Sequence, residues 1–421
     1  MPDGAMLPGF ASDVTEEQSE LFLSMRQPTP HDHTRFGSAS SLFDGGPPMQ
    51  LQAWAGLMSP ERPNYVFRAG VAICAGWIPL LVLSAAQGFL LQDGGFHSFL
   101  TDYGAHARSL IAAPLLVLAE AVCLPRLNAI ARHFSDAGLI RPSDLEAFRA
   151  IEISTKRLRD SVRLEVVVAL LAIAIAVVLA IAIPLQIYPQ WHRMGHGPDA
   201  SVSPAGFWHG FVSVPILLIL LVGWLWRLGI WTRFLFLVSC LRLRLISAHP
   251  DRAGGLKFVG LSLQGFSAVA FAMAMIVAGT VANRVMHDNA SILSFRYVVL
   301  GTGTIIAVLF LAPLFVFAPR LMAAWRAGIF EYGALASRVG RQMEEKWIGR
   351  AADAEALGVP DFSATTDLYS IVANAYGMTV LPVSIANLVM LLAATILPFV
   401  PIVLMSVSPD VLFQKLTGLV L

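Results

Sequence analysis

Ionisable side chains inside long apolar stretches are the first residues of this sequence that could carry chemistry. Glu120 lies within one apolar run, and Arg227 lies near the end of another. An ionised side chain at membrane depth is costly, so each should face protein or water and have a partner. The candidate partners of Glu120 are Arg68, Arg227 and Arg284. Glu120 and Arg227 are therefore candidate functional residues, either as an ion or proton site or as a salt bridge that locks two helices.

A glycine-bearing turn between two apolar segments is the second polar feature, and we call residues 249–257 the central turn. Its sequence is His249-Pro250-Asp251-Arg252-Ala253-Gly254-Gly255-Leu256-Lys257. Asp251 can accept hydrogen bonds from the amides that follow it, and the two glycines permit positive φ. The turn would then be a rigid cap that reverses the chain, or an anion site built from its amides and basic side chains. Its candidate functional residues are His249, Asp251, Arg252, Gly254 and Gly255.

Histidines recur between the apolar segments, but their spacing does not predict a metal site. His192 and His196 have the i, i+4 spacing of a helical metal pair, yet the glycines and proline at 195–198 disfavour a helix. We expect solvated polar loops there, with a pH-sensitive surface as the alternative. The histidines concerned are His97, His106, His192, His196, His209 and His287.

Enzymatic chemistry is the weaker class of function for this sequence. It contains no Walker loop, no HExxH and no serine nucleophile in a strand-turn-helix context. We therefore predict no catalytic residue, no cofactor and no metal. The formal net charge of +1 gives no electrostatic case for a nucleic-acid partner.

The elements that must position these residues are membrane-spanning helices. Hydrophobic residues make up 56% of the 421 and charged residues only 14%, against about 25% charged in an ordinary soluble domain. The apolar residues fall in blocks of about 20, the length of a helix that crosses a bilayer. The sequence thus predicts an all-α polytopic integral membrane protein in contact with the lipid bilayer. Its seven segments lie at about 67–87, 109–129, 165–187, 211–231, 261–283, 297–318 and 383–405.

The distribution of Lys and Arg predicts the orientation of these segments. The connections after the second, fourth and sixth segments carry most of the basic residues, whereas those after the first and third carry one each. Because cytoplasmic loops carry this excess, we expect a cytoplasmic N-terminus. Pro398 and Pro401 permit a broken or re-entrant last helix.

The polar parts of the chain divide into a tail and a helical layer. Residues 1–60 have no long apolar run, so we expect a disordered cytoplasmic tail ahead of the transmembrane domain at 61–421. Cytoplasmic helical segments are expected at about 130–163, 232–258 and 319–378, packed together. The first of these would join the third spanning segment as one helix from Ser143 to about Ile187, because no Pro or Gly intervenes.

Small residues mark two of the apolar segments. A stripe at every fourth position predicts close helix packing, either within the chain or between subunits of a homo-oligomer. It consists of Ala270, Ala274, Ala278 and Ala282. In the next segment, the threonines of Gly301-Thr302-Gly303-Thr304 could line a polar path, but they more commonly bond back to their own helix.

The central turn resembles the HPD-x-AGGL turn of a broad, largely uncharacterised group of bacterial multi-pass membrane proteins. The ending of the chain is also similar to that group, through Pro360-Asp361-Phe362, Thr366-Asp367-Leu368, Leu381-Pro382 and the final proline-bearing helix. The resemblance covers about residues 110–421. It implies a bacterial inner-membrane protein and supplies no substrate or reaction.

Two classes of function follow from these features. The first is a channel-like or transporter-like protein for ions or small solutes, which would use the intramembrane charges. The second is a membrane scaffold or sensor that recruits a cytoplasmic protein partner through its tail and basic layer. Deleting residues 1–60 separates them, since transport should survive the deletion and recruitment should not.

Overall fold

The described chain is almost entirely helical. The structure is a computed structural model, and it describes residues 42–57, 63–90, 98–195, 201–288, 290–347 and 360–406. Seven helices in this part are long and apolar enough to cross a membrane. The all-α polytopic fold is therefore confirmed.

The spanning helices follow the predicted segments and mostly extend beyond them. They are α2 (Tyr65–Ala86), α3 (Tyr103–Asp136), α5 (Val162–Ala182), α6 (Pro204–Cys240), α7 (Lys257–His287), α8 (Ile292–Lys346) and α10 (Ile385–Met405). The shorter helices are α1 (Met49–Trp54), α4 (Leu145–Arg159) and α9 (Pro360–Tyr376). Strands β1 (Arg193–Met194) and β2 (Ser201–Val202) pair antiparallel in one loop.

Several spanning helices change their winding along their length. The interruptions are a break at Trp77 in α2, π-helical turns at Ala107–Ala112 and His209–Ser213, and 3-10 turns at Ala312–Phe317 and Leu397–Phe399. The last of these falls where the prolines of the final segment predicted a broken helix. Helix α10 continues past it as Val400–Ser406.

Helix α7 lies at the centre of the bundle, between α3 and α10. Its small residues permit close approach: Gly265 lies against Cys123, and Gly279 against Ala107. Three alanines of the predicted stripe, Ala270, Ala274 and Ala278, are at most 1% exposed within the single chain. The chain's own helices cover these three alanines, as the first of the two packing alternatives predicts. A homo-oligomer that uses this face stays a prediction.

The two ends of the bundle differ in character. At one end, the connections 137–144, 241–256 and 377–384 meet, and we call this the basic end. There Arg244 N donates to Leu139 O (2.8 Å), and Ser247 Oγ donates to Ala324 O (2.7 Å). At the other end the connections 98–102, 183–195 and 201–203 pack around Trp191, and we call this the histidine end.

The segments predicted for the cytoplasmic helical layer have different boundaries in the structure. The single helix from Ser143 to Ile187 is wrong: α4 ends at Arg159, and Ser161 is extended before α5 begins. The segment at 130–163 is also interrupted between Asp136 and Leu145, because Gly138 takes a positive φ of 64°. The segment at 232–258 is helical only to Cys240 and then runs irregularly to 256.

The remaining layer segment, 319–378, is helical where it is described except for its last two residues. It comprises Ala318–Trp347 and Pro360–Tyr376, whereas residues 348–359 lie outside the described part. Helix α4 packs on α6 through the rings of Phe148 and Phe234, and Arg233 Nη2 donates to Ser154 Oγ (2.7 Å). These contacts hold polar helices against the spanning bundle.

The boundary of the N-terminal tail is corrected by the packing of residues 42–57, which we call the N-terminal segment. A disordered tail was expected to reach residue 60, but Leu42 and Phe43 are each 5% exposed and belong to the main apolar core. The segment enters the break between α4 and α5, where Gln50 Nε2 donates to Asp160 O (3.0 Å). Residues 1–41, for which disorder was predicted, lie outside the described part.

Candidate functional site

Glu120 lies between two arginines in the bundle, and we call Arg68, Glu120 and Arg227 the charge cluster. Arg227 Nη2 donates to Glu120 Oε1 at 2.8 Å. Arg68 Nη1 approaches Oε2 at 2.7 Å, as an ion pair without the alignment of a hydrogen bond. The three side chains are at most 5% exposed. The third candidate partner, Arg284, instead pairs with Asp288 at 3.1 Å.

Three helices bring these charges together. Arg68 comes from the first turn of α2, Glu120 from α3 and Arg227 from α6. Aromatic rings lie beside the guanidinium groups, with Trp224 at 5.0 Å from Arg227 and Tyr65 at 5.8 Å from Arg68. One carboxylate does not balance the charge of two guanidinium groups. Since a desolvated cation is stabilised by an aromatic face, the two rings help to stabilise the arginines.

The N-terminal segment completes the site, which sequence patterns alone barely indicate. Phe43 packs against Trp231 and Phe234, and its N–H donates to Asn128 Oδ1 (2.7 Å). Gly45 O accepts a long hydrogen bond from Arg227 Nε (3.4 Å). The only hint was polar Asn128 in an otherwise apolar helix face, since a buried amide needs partners.

The segment approaches α6 so closely that only glycine fits at one position. A Cβ on Gly223 would lie 2.8 Å from Pro47 O. Farther along, Leu51 N donates to Glu165 Oε1 (2.8 Å) at the start of α5. The N-terminal segment is therefore attached to α3, α5 and α6 at once.

Several donors in the charge cluster have no acceptor in the part of the chain that the structure describes. Among the described residues, Arg68 Nε and Nη2 and Arg227 Nη1 are buried without a hydrogen-bond partner. Gln52 Oε1, in the N-terminal segment, is likewise a buried acceptor without a donor. Buried polar groups of this kind are uncommon and call for a specific explanation, such as a bound ligand or water.

Two neighbouring cavities lie in the seam between α2, α3 and α6. The larger cavity, about 200 Å³, is lined by Arg68, by apolar residues of the three helices and by the N-terminal segment. The smaller cavity, about 10 Å³, is lined by Arg108, Ser109, His209 and Ser213, and is roughly large enough for one water molecule. Ala72 and Ile216 line both cavities.

The smaller cavity is flanked by both π-helical turns. Ser109 belongs to the π turn of α3, and Ser213 to that of α6. Ser213 Oγ donates to Gly76 O (2.7 Å), next to the break in α2. Because π turns are frequent at functional sites, their coincidence here marks the seam as a place where three spanning helices depart from regular winding.

A buried polar cluster closes the seam at the histidine end. Asp102 Oδ1 accepts from Asn283 Nδ2 (2.8 Å) and from Ala105 N (2.9 Å), and its Oδ2 accepts from Trp191 Nε1 (3.1 Å). Burial alone would raise the pKa of Asp102, but Arg108 and these hydrogen bonds hold it below its usual value. Asp102 therefore stays ionised.

The histidines beside Asp102 are buried, which overturns the expectation of solvated loops. His192 and His209 are 5% and 7% exposed, with ring centres 4.6 Å apart. Burial lowers the pKa of His192 to about 3, so its imidazole is neutral near pH 7. No group of three His, Cys, Asp or Glu suited to a metal occurs among the described residues. His97 and His196 lie outside them.

The central turn lies at the basic end, apart from the charge cluster, and is organised by Asp251. Its Oδ1 accepts from Ala253 N (2.8 Å) and Gly255 N (3.1 Å), and its Oδ2 from Lys257 N (3.1 Å). Arg252 and the two glycines take positive φ of 54°, 64° and 91°. The expected backbone bonds are confirmed, and they occupy the amides that an anion would need.

The other residues of the turn connect it to neighbouring elements. His249 Nδ1 lies 2.8 Å from Asp251 Oδ1, and Arg252 O accepts from Thr379 N (2.7 Å) ahead of α10. The turn thus fixes the junction of α6, α7 and α10. Any further function of its residues stays a prediction.

The glycine-threonine stretch of α8 does not contribute to the seam. Thr302 Oγ1 and Thr304 Oγ1 donate to Val298 O and Leu300 O of their own helix, at 2.8 and 2.9 Å. This confirms the commoner of the two interpretations of that pattern.

Comparison with the models of known protein families, with curated proteins and with solved structures gives no match to this chain. The functional interpretation therefore rests on its own geometry.

Proposed function

We propose that this integral membrane protein moves a small ion or solute along the seam between α2, α3 and α6. The observation that carries the proposal is the pair of cavities that share Ala72 and Ile216. They form a row from the charge cluster towards the polar cluster at the histidine end. A movement of the shared side chains would join them.

The charges along the seam support this role. Arg68 lines the larger cavity and Arg108 the smaller one, so a solute would meet a guanidinium group in each. Ionisable groups inside membrane bundles commonly mark substrate and ion pathways. Their sign favours an anion or an anionic solute.

The test is a flux assay with the purified protein in liposomes. Chloride, acetate, hexanoate, potassium and protons would be followed separately, with protein-free liposomes as the baseline. We expect flux of at least one of these solutes. Ala72→Leu should reduce that flux to near the baseline, because the larger side chain would fill the space where the two cavities meet. The matched control is Cys74→Leu, which adds the same side chain on the exposed face of α2.

Two results would overturn the transport role. One is the absence of flux above the baseline for every solute, and the other is flux that Ala72→Leu leaves unchanged. Thermal unfolding of each variant would show that the comparison concerns folded protein.

A scaffold or sensor role has its own supporting observation, which is the insertion of the N-terminal segment into the bundle. A partner that binds residues 1–41 would pull on a segment attached to Asn128 and Glu165. Deleting residues 1–41, rather than 1–60, leaves those contacts intact. Recruitment of a partner should be lost in this deletion, whereas flux should persist.

We also propose that the basic end faces the cytoplasm of a bacterial inner membrane. The surplus of Lys and Arg in the connections at that end supports this orientation, and the resemblance of the central turn supports the location.

A further inference from the structure

We propose that the larger cavity binds an amphiphilic monocarboxylate, whose carboxylate is held by Arg68 and whose short apolar body fills the space beside it. If such a compound is the solute that moves along the seam, its binding site belongs to the transport role proposed above. Binding and transport are nevertheless separate measurements, and they can fail separately.

The free edge of Arg68 selects the carboxylate. Nη1 is turned to Glu120 at 2.7 Å, whereas Nε and Nη2 have no acceptor among the described residues. Nε and Nη2 point from the same edge of the planar guanidinium group, and two parallel N–H donors of this kind match the two oxygens of a carboxylate. A single buried arginine thus offers a complete bidentate site.

Neighbouring carboxylates of the chain do not fill this edge. Glu165 Oε1 accepts from Leu51 N (2.8 Å), and Asp44 Oδ1 accepts from Asn128 Nδ2 (2.7 Å). Glu120 already lies between two arginines. In this arrangement none of these three carboxylates bonds to Nε or Nη2, which leaves that edge available to an acceptor on a bound molecule.

The walls of the cavity select an apolar body. Apart from Arg68 and Gln52, the lining consists of Ala, Val, Leu, Ile and Pro side chains. A hydrated inorganic anion would keep water in contact with these apolar walls, which is unfavourable. Methylene groups placed there remove apolar surface from water, which is favourable. The cavity, about 200 Å³, has room for several water-sized groups, which suits a short-chain carboxylate.

Access to Arg68 runs past the N-terminal segment. Arg68 is only 2% exposed, and Pro48, Leu51 and Gln52 form part of the cavity wall. The side chain of Gln52, whose Oε1 has no donor, is the polar group of this wall that a ligand would displace.

The experiment is equilibrium dialysis of radiolabelled hexanoate against the full-length protein in lipid nanodiscs, with empty nanodiscs subtracted. Unlabelled hexanol, which has the same body without the charge, and inorganic phosphate are the competitors. We expect saturable binding that neither competitor displaces, and tighter binding of hexanoate than of acetate. Arg68→Lys keeps the charge beside Glu120 but lacks the bidentate edge, and should weaken binding at least tenfold.

A second pair of variants keeps the test decisive should Arg68→Lys fail to fold. Ala75→Leu places added carbons in the cavity and should weaken binding at least tenfold. Cys74→Leu places them on the exposed face of the same helix, and binding should be unchanged. Displacement by hexanol would reveal partition into an apolar site and would overturn the proposal, as would displacement by phosphate or equal binding to both leucine variants.

Flux measurements separate this proposal from the transport role. Binding of hexanoate without flux of any solute supports the site and removes transport. Flux of chloride or protons without binding of hexanoate supports transport and removes the carboxylate site.

Discussion

At the residue scale, the charge cluster joins three helices through interactions that cannot be reduced to independent pairs. Glu120 contacts both arginines, and Arg227 also reaches the backbone of the N-terminal segment. Removing the carboxylate would leave two buried guanidinium groups facing each other. That is more unfavourable than the loss of one exposed pair, since burial removes the water that would screen them.

We therefore expect Glu120→Gln to destabilise the protein strongly, by about 3–5 kcal/mol. Thermal unfolding in one detergent would measure the change. The control is Asp288→Asn, which removes an ion pair with both partners more than half exposed and should change stability by about 1 kcal/mol or less. Equal effects of the two variants would show that the cluster is solvated.

Asp251 makes a prediction about acid stability. Burial tends to raise its pKa, but hydrogen bonds from Ala253, Lys257, Gly255 and His249 hold the pKa below 3.8. Since the folded pKa is the lower one, this stabilisation is present above about pH 3.9. It is lost as pH falls through the folded value.

The central turn should therefore open as pH falls through the folded pKa, which lies below 3.8. Limited proteolysis by an acid-active protease would detect the opening at residues 249–257. In Asp251→Asn the turn should be cut readily at neutral pH, and its cleavage should depend less on pH. Equal cleavage of the wild-type and Asp251→Asn turns by one protease at neutral pH would contradict this assignment.

Some features of the charge cluster and the histidine end could be predicted from the sequence, and others could not. A buried carboxylate needs a cationic partner, so the pairing of Glu120 was foreseeable, and two of its three candidates are correct. The unpaired edge of Arg68 was not foreseeable, because it depends on which nitrogen faces Glu120. Buried histidines such as His192 and His209 depend on chain packing that local spacing does not encode.

At the element scale, apolar length predicted the spanning helices, and tertiary contacts decided where the others end. Helix α4 stops at Arg159 although no Pro or Gly follows, because Arg159 Nη1 donates to Leu42 O (3.1 Å) and the N-terminal segment occupies the break. That segment has no apolar run of its own. It is ordered by hydrogen bonds to Asn128 and Glu165, which lie 85 and 114 residues away.

Gly223 tests whether this segment depends on close approach to α6. In Gly223→Ala the new Cβ would meet Pro47 O at 2.8 Å and Pro48 Cδ at 3.2 Å. We expect residues 42–57 to leave the bundle and become sensitive to protease. Gly229→Ala lies on the same helix with open space around it, so it should leave the segment protected. Protection of the segment in both variants would mean that the backbone contact is not limiting.

At the scale of the whole molecule, the two ends of the bundle place different chemistry on the two sides of the membrane. The basic end carries the central turn and the polar helices α4 and α9. The histidine end carries a compact cluster of Trp191, Asp102 and His192. A protein that moves a solute along the seam would accordingly present it with different surroundings on each side.

The orientation of this asymmetry is open to direct measurement by labelling of single cysteines. Ser143 is exposed at the basic end and Ser294 at the opposite end, and each would be replaced by Cys in a chain without Cys74, Cys123 and Cys240. Since short cytoplasmic loops carry the excess of Lys and Arg, a membrane-impermeant maleimide should label position 294 in right-side-out vesicles and position 143 in inside-out vesicles. The reverse pattern would place the basic end outside, and the N-terminal segment would then connect the charge cluster to the extracellular side.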